Sequence, residues 1–171
     1  MPLPAAQSQR FAMASTYMVR APDTDIRAMA GVSDVLLAIG RIVFAVIFIS
    51  SGLEKIMDLP STAAAIGSKG LPMPQVLAIA TAALELGGGL LIVLGWQTRW
   101  AALALAVFTL VAAYFFHDFW NMPAGTERTD AMIHAMKNLS IFGGFLMLAA
   151  VGAGRYSLDG PCTVHTRPPA A

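Results

Sequence analysis

Residues Asp34 to Met57 read DVLLAIGRIVFAVIFISSGLEKIM, and this stretch decides the fold. Between Val35 and Ile49 its only charge is Arg41. A helix needs ~20 predominantly apolar residues to cross a ~30 Å hydrocarbon core, and the stretch meets that length. Three more such stretches follow, roughly Pro74 to Leu94, Thr98 to Phe119 and Ala131 to Val151. They are too long for strands, and a bilayer accepts only backbone that satisfies its own hydrogen bonds, so all four are predicted as helices. A water-soluble bundle would require a polar face on each helix, which these lack. The expected fold class is all-α, a transmembrane four-helix bundle.

Composition supports this. Of 171 residues, 57% are hydrophobic and only 12% charged, with a mean hydropathy of +0.66. Soluble domains carry about 25% charged residues. The net charge of +1 offers no electrostatic footprint for nucleic acid, so the expected partner is the lipid bilayer. A single cysteine, Cys162, excludes an internal disulfide, a CxxC redox pair and a cysteine-rich zinc or iron–sulfur site. The ten methionines are scattered and form no metal box, and no metal site is expected.

The connections are rich in helix breakers. Asp58, Pro60, Gly70, Pro72 and Pro74 crowd the first, which reads as a loop. Pro74 suits the first turn of the second helix, and Gly95 suits its C-terminal stop. The third connection holds Asn121, Pro123 and Gly125. Three regions result: a polar segment 1–33 without the continuous apolar core of a signal peptide, a helical domain 34–157 and a tail 158–171. A short interfacial helix is expected around Phe11 to Val19. Arg10, Arg20, Arg27, Arg99, Arg155 and Arg167 gather on one side, against Lys69, Arg128 and Lys55 on the other. The positive-inside tendency therefore places both termini in the cytoplasm, in a multi-pass inner (plasma) membrane protein.

Charges inside a span cost roughly 2.5–3.5 kcal/mol each on insertion scales, so those present need a reason. The candidates for a ligand site are Arg41, Lys55, Glu85, His117, His134, Lys137 and Asn138. Glu85, Gly88 and Gly89 share one helix face, and glycines on such a face let backbones approach closely in lipid. The simplest arrangement turns these stripes inward and pairs Glu85 with Lys137 or Arg41 around a polar pocket open to the extracytoplasmic side. Such a pair can equally be a structural device that fixes helix register. Lys55, near a helix end, is expected to snorkel to the interface. Haem between His117 and His134 is disfavoured, because both lie near helix ends with nothing to orient them. Gly87–Gly89 and Gly143–Gly144 lie inside apolar helices and are read as packing sites, not phosphate loops.

Several fragments, in order, resemble the DoxX family of small four-helix membrane proteins: Gly40-Arg41-Ile42, Ser50-Ser51-Gly52-Leu53-Glu54-Lys55, Gly70-Leu71-Pro72-Met73-Pro74, Glu85-Leu86-Gly87-Gly88-Gly89, Phe116-His117-Asp118-Phe119 and Lys137-Asn138-Leu139-Ser140. The resemblance covers about Leu36 to Asp159. It implies an integral membrane protein associated with membrane redox chemistry, with a quinone-like molecule as ligand. In that reading Lys137, Asn138 and His117 donate hydrogen bonds to carbonyl oxygens and Glu85 exchanges protons. No flavin, nicotinamide or iron–sulfur motif is present, so electrons would come from a protein partner or the quinone itself. The other expectation is a non-catalytic scaffold that recruits a partner protein, or a homo-oligomer, with its buried charges purely structural.

Overall fold

A computed structural model of the chain describes residues 23–160. The chain divides into two units, 1–33 and 34–171. The expected helix at Phe11 to Val19 lies outside the described residues. Among the described residues there are five α-helices and no strand: α1 (Asp23–Met57), α2 (Leu59–Ser68), α3 (Pro74–Leu94), α4 (Thr98–Phe116) and α5 (Thr126–Val151), with a 3₁₀ turn at Phe119–Asn121. Four segments are long and apolar enough to cross a membrane: Gly31–Met57, Pro74–Leu94, Thr98–Asn121 and Thr126–Val151. The all-α, four-span expectation is what the structure shows.

Three boundaries differ from expectation. Helix α1 begins at Asp23 and α5 at Thr126, both upstream of their apolar runs. Helical backbone tolerates a polar turn where the chain leaves the hydrocarbon, so apolarity underestimates helix length. The larger correction is α2, a helix in the stretch whose prolines and glycines predict a loop. Asp58 accepts a hydrogen bond from the Ser61 N–H at 3.1 Å and so caps the helix. Pro60 falls in the first turn, where its missing N–H had no partner to lose. The breakers that misled the reading are an N-terminal signature.

Small residues set the packing. The core gathers Ala45, Phe48, Ile92, Ala101, Ala102, Leu105, Ala106 and Phe145. Phe145 meets Phe44 edge-on at 4.6 Å and Phe48 at 5.1 Å, joining α5 to α1. A Cβ at Gly52 would lie 2.6 Å from the Leu86 backbone nitrogen, and one at Gly89 would lie 2.8 Å from the Ile49 side chain. These two contacts fix α1 and α3 in one antiparallel register. Phe44 takes the equivalent place over Gly144 on α5. A second cluster, Ala63, Ile66 and Ala78, seats α2 on α3.

At the end of the bundle where α3 turns into α4, Arg41 is the organiser. The residue is 6% exposed; its side chain donates to the carbonyls of Ala153, at 3.1 Å, and of Tyr156. The segment after α5 is thereby drawn across the ends of α3 and α4. Leu158 and Asp159 donate N–H bonds to Leu94 and Gly95 carbonyls at 3.2 and 2.8 Å. The Asp159 carboxylate accepts from the N–H groups of Gln97 at 2.7 Å and Thr98 at 2.9 Å, capping α4. Gly95 has φ +66° and no room for a side chain, because a Cβ there would collide with the Arg41 guanidinium. Arg41 thus belongs to a structural latch, separate from Glu85.

Two predictions follow from this packing. Gly52→Ala should lower stability in detergent by about 1–3 kcal/mol through overpacking, despite alanine's better helix propensity. Gly87→Ala, where a Cβ meets nothing within 4 Å, should be neutral or stabilising; thermal unfolding of both variants checks the contrast. The second concerns pH. Partial burial opposes the Asp159 charge, but the N–H groups of Thr98 and Gln97 and the nearby Arg41 outweigh it and hold the carboxyl below its usual range. A depressed folded-state pKa adds stability above the unfolded value, ~3.9 for aspartate, and loses it as pH falls through the folded value. Unfolding between pH 7 and 3 should therefore show a loss in the wild type near and below pH ~4 that is missing in Asp159→Asn.

Candidate functional site

The register set at Gly52 and Gly89 brings Glu85 level with the turn of α1 between Ser51 and Lys55. All three side chains meet there. Lys55 Nζ lies 2.7 Å from Glu85 Oε2 and donates to Ser51 Oγ at 2.5 Å. Ser51 Oγ donates to the same Glu85 oxygen at 3.1 Å. The Glu85 side chain is 7% exposed and that of Lys55 is 26% exposed. Lys55 therefore folds inward onto Glu85 and does not snorkel away, because a carboxylate sunk among apolar side chains is costly without a cation.

This polar knot faces a cavity of about 600 Å³. Its apolar wall comes from α2, α3 and α4, with Ile66, Leu77, Phe108, Val111, Phe115 and Phe116 prominent. Polar lining comes from Ser51, Glu54, Lys55, Asp58, Ser61, Thr62, Thr81, Glu85 and His117. The cavity lies toward the end of the bundle where α1 passes into α2 and α4 ends. Two contacts stand nearby. The His117 and His134 rings stack at 5.2 Å with 19° between their planes. Lys69, just past α2, pairs with Asp118 at 3.3 Å and ties α2 to the end of α4.

Of the sequence candidates, Lys55, Glu85 and His117 line one cavity. His134 touches it only through the His117 ring, and its own side chain is exposed. Lys137 is exposed and Asn138 half-buried, and neither lines the cavity. Arg41 is committed to the latch. The expected partnership of Glu85 with Lys137 or Arg41 is thus replaced by one with Lys55, since α3 packs its Glu85 face against α1. Sequence reading missed Ser51 and the α2 residues Ser61 and Thr62. Ser51 was detectable, being one turn before Lys55 and able to share its partner; the α2 residues were hidden once that segment was read as loop.

Chemically, the site is a hydrogen-bonding cluster in apolar surroundings, in which Lys55 donates to Ser51 and pairs with Glu85. Among the described residues no group of three or more metal-ligating side chains converges.

Fold and site together define a class: a small four-span helical membrane protein with an ion pair sunk in an intramembrane cavity. The sequence pattern of the family described as DoxX matches residues 36–118. Over 125 residues the chain is 42% identical to inner membrane protein YphA of Escherichia coli K12, covering 73% of this chain and 89% of that protein. Over 134 residues it is 40% identical to inner membrane protein YqjF of the same organism, covering 77% and 95%. The chain belongs to the DoxX family and is a multi-pass inner membrane protein. A shorter likeness, 30% over 70 residues, relates it to a Surfeit locus protein 4 homolog of Drosophila melanogaster, covering 40% of this chain and 26% of that protein. No solved structure matches.

The pair can be tested as a unit. Lys55→Met should destabilise the protein by roughly 3–5 kcal/mol, because Glu85 is left buried without its cation. Adding Glu85→Leu to it should restore much of that loss, since an apolar pair avoids desolvating either charge. A double-mutant cycle read by thermal unfolding in detergent checks the coupling.

Proposed function

We propose that this DoxX-family protein binds a quinone-like molecule within the four-helix bundle and so serves redox chemistry at the inner membrane. One observation carries the reading: the Ser51–Lys55–Glu85 cluster points into a cavity otherwise walled by apolar and aromatic side chains. Small-molecule sites are mostly apolar clefts of ~300–1,000 Å³ with a few convergent polar groups, and this cavity falls within that range. A flat ring with carbonyl acceptors matches both parts. Lys55 has three N–H donors, of which two reach Ser51 and Glu85, leaving one for a ligand oxygen. Phe108, Phe115 and Phe116 offer ring faces and edges to an aromatic body. His117 supplies a second titratable donor, and Glu85 is the group placed to take or give a proton. A bound quinone supplies the two-electron chemistry; the chain's part is to hold and orient it and to manage protons. With both termini cytoplasmic, as the arginine distribution favours, the cavity faces the extracytoplasmic half of the membrane.

Titration of the purified protein with a short-chain ubiquinone analogue, followed by calorimetry, tests the reading. Saturable binding is expected, weakened about tenfold or more by Lys55→Ala, which corresponds to ~1.4 kcal/mol or more. Lys137→Ala, outside the cavity, should leave affinity unchanged. Equal affinity in wild type and Lys55→Ala, with both proteins folded, would remove the proposed site.

A further inference from the structure

We infer that the cavity selects its ligand by charge, admitting uncharged or cationic amphipathic molecules and excluding anions. The inference rests on the cavity being a binding site, and adds which chemical class it takes. The lining contains three carboxylates, Glu54, Asp58 and Glu85, against one ammonium, Lys55. Lys55 and Glu85 neutralise each other at 2.7 Å. The remaining carboxylates, Glu54 and Asp58, stand on the last turn of α1 and at the start of α2, one turn apart and both exposed. Asp58 spends one oxygen on the Ser61 N–H, which satisfies a donor but leaves the charge in place. The nearby Lys69 is paired with Asp118 at 3.3 Å, so that ion pair adds no net positive charge. His117 is the remaining titratable group of the lining.

The physical consequence is asymmetric. An anion would meet net negative potential at the cavity rim and, deeper, would share Lys55 with Glu85. That places two negative charges beside one ammonium in apolar surroundings, where like charges repel strongly. A neutral acceptor needs only the third N–H of Lys55 and leaves the pair intact. A cation meets favourable potential from Glu54 and Asp58. Walls of low dielectric strengthen each of these terms relative to water.

Three size-matched probes separate the cases: 1-naphthylmethanol, 1-naphthylmethylammonium and 1-naphthoate. Each is titrated into the full chain in a zwitterionic detergent at pH 8 and low salt, with fluorescence as readout. The neutral and cationic probes should bind saturably, and naphthoate at least tenfold more weakly than the alcohol. Glu54→Gln with Asp58→Asn, both exposed and outside the core, should narrow that gap severalfold; 0.5 M salt should narrow it as well. Naphthoate binding as tightly as the alcohol would overturn charge selection while leaving the cavity a binding site. Failure of all three probes to bind would overturn both this inference and the ligand reading beneath it. A gap unmoved by the double substitution would also overturn the inference, since the rim carboxylates would then play no part.

Discussion

The contact between Lys55 and Glu85 is the constraint around which the rest of this molecule is arranged. The Glu85 carboxylate on the second span is buried, and leaving such a charge unpaired costs several kcal/mol. It is tolerated because α1 and α3 cross at glycines. Gly52 and Gly89 bring the two backbones close enough that Ser51 and Lys55 fall on either side of Glu85. The ion pair in turn reports on register. A slip of either helix by one residue would rotate Glu85 out of reach and bring side chains into the space that the glycines leave. Packing and electrostatics therefore specify the same arrangement, which is what makes a buried pair useful even where its net contribution to stability is small.

The two ends of the bundle are built on opposite principles. Toward the turn between α3 and α4, alanines, Phe48 and Phe145 fill the space between helices, and Arg41 draws the segment after α5 across the helix ends. There the Ala153 and Tyr156 carbonyls accept from Arg41, and the Asp159 carboxylate accepts from the first N–H groups of α4, which have no partner within the helix. At the other end α2 leans on α3 through Ala63, Ile66 and Ala78, and the space behind it is left open. Each end uses one cation from α1, but the buried Arg41 is spent on backbone carbonyls, whereas the half-buried Lys55 pairs with Glu85 beside the cavity.

Much of this was legible in the sequence because hydrocarbon imposes so few solutions. Four apolar runs fixed the four spans, and Pro74, Gly95 and the Gly88–Gly89 face were read correctly as a helix start, a helix stop and a packing surface. What escaped was which charge pairs with which. Lys137 and Glu85 looked comparable as intramembrane charges, yet Lys137 is exposed on α5 while Glu85 is buried on α3. Periodicity places residues on a face but does not say which helix that face meets; the Gly52–Leu86 and Gly89–Ile49 approaches decide it. The apolarity of α2 was visible, but its prolines were weighed as breakers although Pro60 stands in a first turn.

That difference bears on the site, because α2 supplies one wall of the cleft between the spans. Without it, Lys55 at the end of α1 would face the interface, and snorkelling would be its natural course. With α2 folded back over the bundle and tied to α4 through Lys69 and Asp118, the same lysine lies beneath a roof that contributes Ser61, Thr62, Ala65 and Ile66 to the lining. Inward pairing with Glu85 is then the nearer partner. A ten-residue helix that crosses nothing thus determines whether a lysine serves as a membrane anchor or as part of a polar cluster, and the chemistry open to the cavity follows from that choice.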